Sequence, residues 1–273
     1  MESISNAHPM PVIKRRKFRW QRLLPWLIPV GIFAIWQLSS SVGWLSSDTL
    51  PSPLDVIKDG VSLAQSGELQ KNVSISLFRA LVGFAIGGSV GFILGFLNGI
   101  SKIFRGLTDS TVQMLRNIPH LSLIPLVILL IGIGESAKIS LVAIGVMFPI
   151  YINTLHGIRS VDPELVEMGQ SYGLTKVQLF SKIIFPGALP TILMGVRYAL
   201  GVMWTTLIVA ETISSDSGIG YMSTNAQEFM DMKTVLLCIL IYALLGKISD
   251  LIAKGLESYL LDWRQAKGDV TND

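Results

Sequence analysis

The chain has 273 residues, of which half are hydrophobic and only 15% charged, and its mean hydropathy is +0.55. A soluble domain of this size carries about a quarter charged residues, so the deficit excludes an ordinary water-soluble globular protein. The net charge of +3 is too small for a nucleic-acid binder driven by charge, and the single cysteine, Cys238, excludes an internal disulfide or a cysteine-based zinc site.

Residues 1–23 form a basic tail, with Lys14-Arg15-Arg16-Lys17, Arg19 and Arg22 directly before an apolar segment. That position reads as a cytosolic flank rather than a nuclear-localisation signal. About 20 apolar residues are needed to cross the roughly 30 Å of bilayer hydrocarbon. Six segments approach that length: 24–44, 77–100, 120–136, 138–157, 188–210 and 234–254. The first outruns a secretory signal core and is followed by further spans, so it reads as an uncleaved anchor despite Ser39-Ser40-Ser41. The stretch 46–76 opens with Pro51-Ser52-Pro53 and places Leu54, Val56, Ile57, Val61 and Leu63 among charges, which predicts a short helix on the outer membrane surface.

In the second span Gly83, Gly87, Gly91, Gly95 and Gly99 recur every fourth residue. Such a row opens a groove for close approach of another backbone. The expected occupant is a neighbouring span of the same chain, with a dimer seam as the alternative. The third span is interrupted by Pro125 and is followed by a tight hairpin at 134–138. With the N-terminus inside, Lys102, Arg105, Arg116, Arg159, Lys176, Lys182, Lys254, Arg264 and Lys267 fall on cytosolic stretches. Only Lys58, Lys71, Arg79, Lys138 and Lys233 fall outside. The bias predicts that both termini are cytosolic, residues 258–273 forming a polar tail.

The loop between the fourth and fifth spans carries the strongest local signals. Asp162-Pro163-Glu164 is a helix start, with an N-cap carboxylate, a proline in the first turn and an acid beside it. The helix is expected to run to Tyr172 and stop at Gly173. Thr175-Lys176-Val177-Gln178 matches a capping box, and the helix it opens is expected to end near Phe185, before Pro186-Gly187. Leu165, Met168 and Tyr172 share one face; Val177, Phe180 and Ile184 share another. Helices this short need a surface to bury such faces. That surface is either the ends of other spans or a cleft in a separate cytosolic protein.

Within the later spans lie Arg197, Glu211, Lys247 and Asp250. The last three are expected to sit near interfaces and snorkel to water. Arg197, near mid-depth, should face protein or a wet cavity, contacting either an anionic solute or a neighbouring carbonyl or helix end. Trp204 and Thr205 share its span.

Glu167-Met168-Gly169, three residues, Gly173, nine residues and Ile183-Ile184-Phe185-Pro186 resemble the EAA signature of ABC importer permeases, E-A-A, three residues, G, nine residues, I-x-L-P. Met168 and Gly169 replace the alanines and Phe185 the leucine. Leu189-Pro190-Thr191-Ile192, Gly195-Val196-Arg197, Ala199-Leu200-Gly201, Ile124-Pro125-Leu126, Gly132-Ile133-Gly134-Glu135 and Gly218-Ile219-Gly220 resemble the nitrate, taurine and aliphatic-sulfonate permease group. The resemblance covers most of residues 45–264 and implies an all-α, type I permease of the bacterial inner membrane, with a core at 70–257 and a cytosolic coupling loop at 159–187. It implies that Glu164, Glu167, Met168, Gly169, Tyr172, Gly173, Leu174, Ile183 and Pro186 serve coupling to an ATPase. Arg197, Trp204 and Thr205 become candidates for a translocation path. The implied partners are two ATP-binding cassette subunits, an extracytoplasmic solute-binding protein and a second copy of the chain. ATP and magnesium would be used by the cassette subunits, and this chain, lacking G-x-x-x-x-G-K-[ST], would bind no cofactor. The implied solute is an aliphatic sulfonate, with taurine, nitrate or another small anion as alternatives. An ion-gradient secondary transporter is the competing reading. An intramembrane enzyme is disfavoured, because His120 and His156 are expected at cytosolic span ends without a supporting nucleophile.

Overall fold

The computed structural model describes residues 24–44 and 50–262, so the basic N-terminal run and the tail after Asp262 lie outside the described residues. The described residues form helices α1 (Leu24–Ser41), α2 (Pro53–Gln65), α3 (Glu68–Ile100), α4 (Lys102–Arg116), α5 (Ile124–Ile131), α6 (Glu135–Arg159), α7 (Pro163–Ser171), α8 (Lys176–Leu179), α9 (Phe185–Ser214), α10 (Ile219–Glu228) and α11 (Met232–Leu260), and no strand. The chain divides into two units, 1–54 and 55–273. In the first unit, α1 carries exposed Leu27, Ile28, Ile32, Ile35 and Leu38, an apolar surface suited to lipid.

In the second unit the glycine row sets the register of the two central helices. A Cβ on Gly87 would strike the carbonyl of Ala143, on Gly91 that of Met147, and on Gly95 that of Tyr151. Each step of four along α3 is a step of four along α6, so the two helices run parallel, backbone against backbone. The groove predicted in the second span is filled by α6 of the same chain. Pairings of the opposite sense order the rest: Gly145 meets Val202 and Thr206 while Gly157 meets Ala188, so α6 and α9 are antiparallel. Arg197 meets Asp250 while Glu211 meets Tyr242, so α9 and α11 are antiparallel too.

Parallel α3 and α6 require that the chain between them cross back. It does so as a broken span: α4 and the His120–Ile131 segment meet at 86°. Asp109 of α4 accepts a bond from Tyr151 (2.9 Å), His120 lies beside Gly145, and Ile124 and Val127 pack on Ala137 and Leu141. This climb corrects two expectations. Residues 102–116 are a helix belonging to the crossing rather than a loop, and His120 sits along α6 rather than at a span end, its Nε2 3.0 Å from Thr206 Oγ1. Among the described residues, four helices are long and apolar enough to cross alone, the bent pair makes a fifth, and α1 adds a shorter apolar stretch at 27–41. Together they fall on the six apolar segments expected, the third of them broken and lengthened by α4.

Helix α2 differs from the single apolar face expected of it. Val56 is fully buried, Gly60 abuts Leu237, and Asp59 accepts a bond from Thr234 (2.9 Å), whereas Ile57 and Val61 stay exposed. One side of α2 packs on α11 and the other carries apolar residues outward.

Candidate functional site

The 160–184 loop lies at the end of the core where α3 finishes and α9 begins. Phe180 packs edge-on to Phe96 of α3 (5.3 Å between ring centroids), and Ile184 and Phe185 join Ile158, Ala188 and Ile192. Helix α7 starts as its residues dictate: the Asp162 carboxylate accepts from the Glu164 amide (2.9 Å). It ends at Tyr172, and Gly173 follows with φ +74°, a left-handed conformation that other residues adopt at a cost. The Leu174 amide then donates back to the Gly169 carbonyl (3.1 Å). The predicted capping box is present in both directions between Thr175 and Gln178.

Gly169 is buried where the two short helices touch. A Cβ there would fall 2.6 Å from Ile183 Cδ1 and 2.8 Å from Leu179 Cδ1, so absence of a side chain lets α7 lie close on α8. Glu164 and Glu167 are exposed. So are Leu165 (46%), Met168 (48%), Tyr172 (81%) and Val177 (77%), which form an apolar surface on a polar loop. Val177 shares that exposure rather than a face with Phe180 and Ile184. The reason is the turn after α8: Phe180–Ile184 is a π-helical segment, and its wider turn rotates Phe180 and Ile184 inward onto α3. The same turn corrects the expected break at Pro186-Gly187. A wide turn leads directly into α9 with Pro186 in its first turn, where a missing amide hydrogen costs little. Residues 176–213 therefore form one continuous helical run of 38 residues.

The candidate path residues separate into two groups. Arg197 and Thr205 are exposed on α9 and, with Met194, Tyr198, Gly201 and Asp250, line an open groove of 620 Å³. Arg197 Nε donates to Asp250 Oδ1 (2.7 Å), and Lys254 Nζ lies 3.0 Å from Asp250 Oδ2. Asp250 is therefore paired rather than simply snorkelling. Trp204 is not in the groove: it is 6% exposed, donates to Ser249 Oγ (2.9 Å) and packs on Tyr242. It ties α9 to α11.

At the opposite end is a cluster that sequence reasoning missed. Arg79, assigned above to an outer stretch, and Glu211, expected to snorkel, are both fully buried and bonded to each other (2.8 Å). Arg79 also grips Glu135 at the start of α6, through Nε (2.6 Å) and Nη2, and donates to the Ser217 carbonyl (2.7 Å). Lys138, likewise assigned outside, is buried 3.3 Å from Glu135. Glu211 further accepts from Ser76 (2.8 Å), Tyr242 (3.1 Å) and the Gly220 amide (2.9 Å). Gly218-Ile219-Gly220 thus delivers the amide end of α10 to a carboxylate, and Gly218 has φ +107° with no room for a Cβ beside Glu211 and Arg79. Such a buried pair persists because every charge has charged and polar partners. Glu135, Lys138 and Glu211 also wall a 690 Å³ cleft open at that end, with Tyr221, Asn225 and Glu228.

With this geometry in hand, comparison with known proteins places the chain. Residues 87–260 match the family model described as the inner membrane component of binding-protein-dependent transport systems. The chain belongs to that family. A permease of Escherichia coli K12 named for aliphatic sulfonates transport, SsuC, is 58% identical over 90% of this chain and 93% of its own length. Its Bacillus subtilis namesake is 42% identical over 92% and 91%. The taurine transport system permease protein TauC of E. coli K12 is 30% identical over 92% and 94%. Among solved structures, an amino acid ABC transporter matches with TM-score 0.61 at 16% identity, over 73% of this chain and 97% of its own. A bacterial alginate ABC transporter matches with TM-score 0.60 at 18% identity, over 89% and 96%. The type I permease fold expected from the sequence is the fold of this chain, and the permease is a multi-pass inner-membrane protein.

Proposed function

We propose that this permease carries an aliphatic sulfonate inward as the membrane half of an ATP-driven importer, with ATP hydrolysed on two separate cassette subunits. The observation that carries the coupling is the apolar surface formed by Leu165, Met168, Tyr172 and Val177 on two short capped helices. Exposed apolar clusters of this kind mark docking sites, and the 162–184 loop would seat in a groove of the ATPase. Glu164 and Glu167 would rim that seat, and Gly169, Gly173, Leu174, Ile183 and Pro186 would hold its shape. The sulfonate assignment draws on the 58% identity to the E. coli permease. A solute-binding protein would deliver the cargo at the end holding the Glu135 cleft, and a second copy of the chain would complete the pathway. Both termini would be cytosolic, since Lys102, Arg105, Arg159, Lys176 and Lys182 gather at the loop end. No cofactor would be held by this chain; ATP and magnesium would belong to its partner.

The test is copurification and uptake. Glu167→Lys and Gly173→Asp are expected to leave the protein in the membrane while reducing capture of the co-expressed ATPase about tenfold or more, a loss of roughly 1.4 kcal/mol. Normal capture and normal sulfonate uptake in both variants defeats the coupling role. Growth of a host lacking its own system, with an alkanesulfonate as sole sulfur source, tests the solute. Growth on taurine but not on the alkanesulfonate as sulfur source, or on nitrate as sole nitrogen source in a host lacking nitrate uptake, would reassign it.

A further inference from the structure

Arg197 is held but only half used. Its Nε bonds Asp250, and among the described residues neither Nη1 nor Nη2 bonds any protein group. The side chain is 41% exposed and borders the 620 Å³ groove on α9. Arg197 is the thirteenth residue of α9, which places it about 18 Å along the helix from its start. A charge on a membrane-spanning helix is costly unless something answers it. Asp250 answers it incompletely, because three cations share this one carboxylate: Arg197 at 2.7 Å, Lys254 at 3.0 Å and Lys247 at 3.9 Å. The cluster keeps an excess of positive charge. It also presents a planar fork of unused donors, the geometry that matches two oxygens of one oxyanion.

We propose that Arg197 reads the anionic headgroup of the transported solute, its two Nη groups receiving two oxygens of a sulfonate while Asp250 holds the guanidinium through Nε. This rests on the sulfonate-import reading and adds a residue that discriminates anionic from neutral cargo inside the membrane. Lys247 and Lys254 supply field but no fork, and Thr205 bonds its own helix carbonyls at Gly201 and Val202, so neither substitutes for the arginine.

The experiment uses the assembled complex of permease, ATPase and binding protein in proteoliposomes, with binding protein and labelled ethanesulfonate on one face of the membrane and ATP on the other. The reading is the number of ATP molecules hydrolysed per ethanesulfonate imported, taken on complexes isolated as the full assembly so that free ATPase does not contribute. Arg197→Gln is expected to raise that ratio about tenfold or more, the scale of a charge-assisted hydrogen bond. Arg197→Lys, which keeps charge without the fork, should fall between it and the unsubstituted complex. Asp250→Asn, which keeps an acceptor for Nε, should raise the ratio at least about threefold less than Arg197→Gln. Equal effects of Arg197→Gln and Asp250→Asn, or no change in the ratio, would make the pair purely structural and overturn the proposal. If the unsubstituted complex imports no ethanesulfonate, the sulfonate reading fails first and this inference falls with it.

Discussion

Arg79 shows how a buried charge can be a fixture of a membrane protein rather than part of its transport path. Its guanidinium joins α3 to Glu135 on α6, Glu211 on α9 and the Ser217 carbonyl before α10. Removing it leaves Glu211 buried with only neutral donors. Arg79→Met should therefore destabilise the protein by about 3–5 kcal/mol. Arg79→Lys, a point charge unable to fork between two carboxylates, should fall between the two. Thermal unfolding in detergent measures both, and a double-mutant cycle with Glu211→Gln should return an interaction energy well above zero. Equal midpoints for Arg79→Met and the unsubstituted protein would show that the cluster is dispensable. None of this was legible in the sequence. Arg79 and Glu211 are 132 positions apart, and each alone looks like an interfacial residue.

At the scale of elements, legibility followed locality. The N-cap at Asp162, the stop at Gly173 and the capping box at Thr175 all depend on residues within a few positions, and all three were readable. The glycine row was readable for the same reason, although its occupant α6 follows only from the fold. What escaped were features set by tertiary contact. Lys102, Arg105, Asp109 and Arg116 lower the apolar content of α4 enough to disguise it as a loop, yet its Asp109 and Val112 pack on Tyr151 of α6. Pro186-Gly187 read as a stop because the wide turn preceding it has no sequence signature of its own. Trp204 shares the span of Arg197 in the sequence, but its indole turns to Ser249, away from the groove that Arg197 lines. The α3–α6 contact supplies its own test. Gly91→Leu should force the two backbones apart and cost at least about 1–3 kcal/mol, seen as loss of monodisperse protein on heating. Gly106→Leu, on α4 with nothing within 4 Å of an added Cβ, should cost far less. Similar losses for both would remove the close approach as the cause.

For the molecule as a whole, the alternation α3 against α6 in parallel, with α9 and α11 reversing in turn, fixes which parts share an end. The 160–184 loop, the α3–α4 link and the end of α11 lie together; α2, the α5–α6 hairpin and α10 lie opposite. Labelling with a membrane-impermeant maleimide in a Cys238→Ala background should separate them. A cysteine at Ser66 should react in intact spheroplasts, and one at Tyr172 only after permeabilisation. Labelling of both from the same side would contradict the topology.

The uninterrupted run from Lys176 to Ile213 makes the loop and the Arg79–Glu211 cluster two ends of one rod. At 1.5 Å per residue its 38 residues span about 57 Å, more than the bilayer hydrocarbon. Tilting such a lever by about 5° about its midpoint swings each tip roughly 2.5 Å in opposite directions. That is comparable to the length of the bonds holding Glu211 to Ser76 and Arg79. A small push on the Lys176 tip is therefore commensurate with unlatching the far one, without any bend travelling through the helix between them.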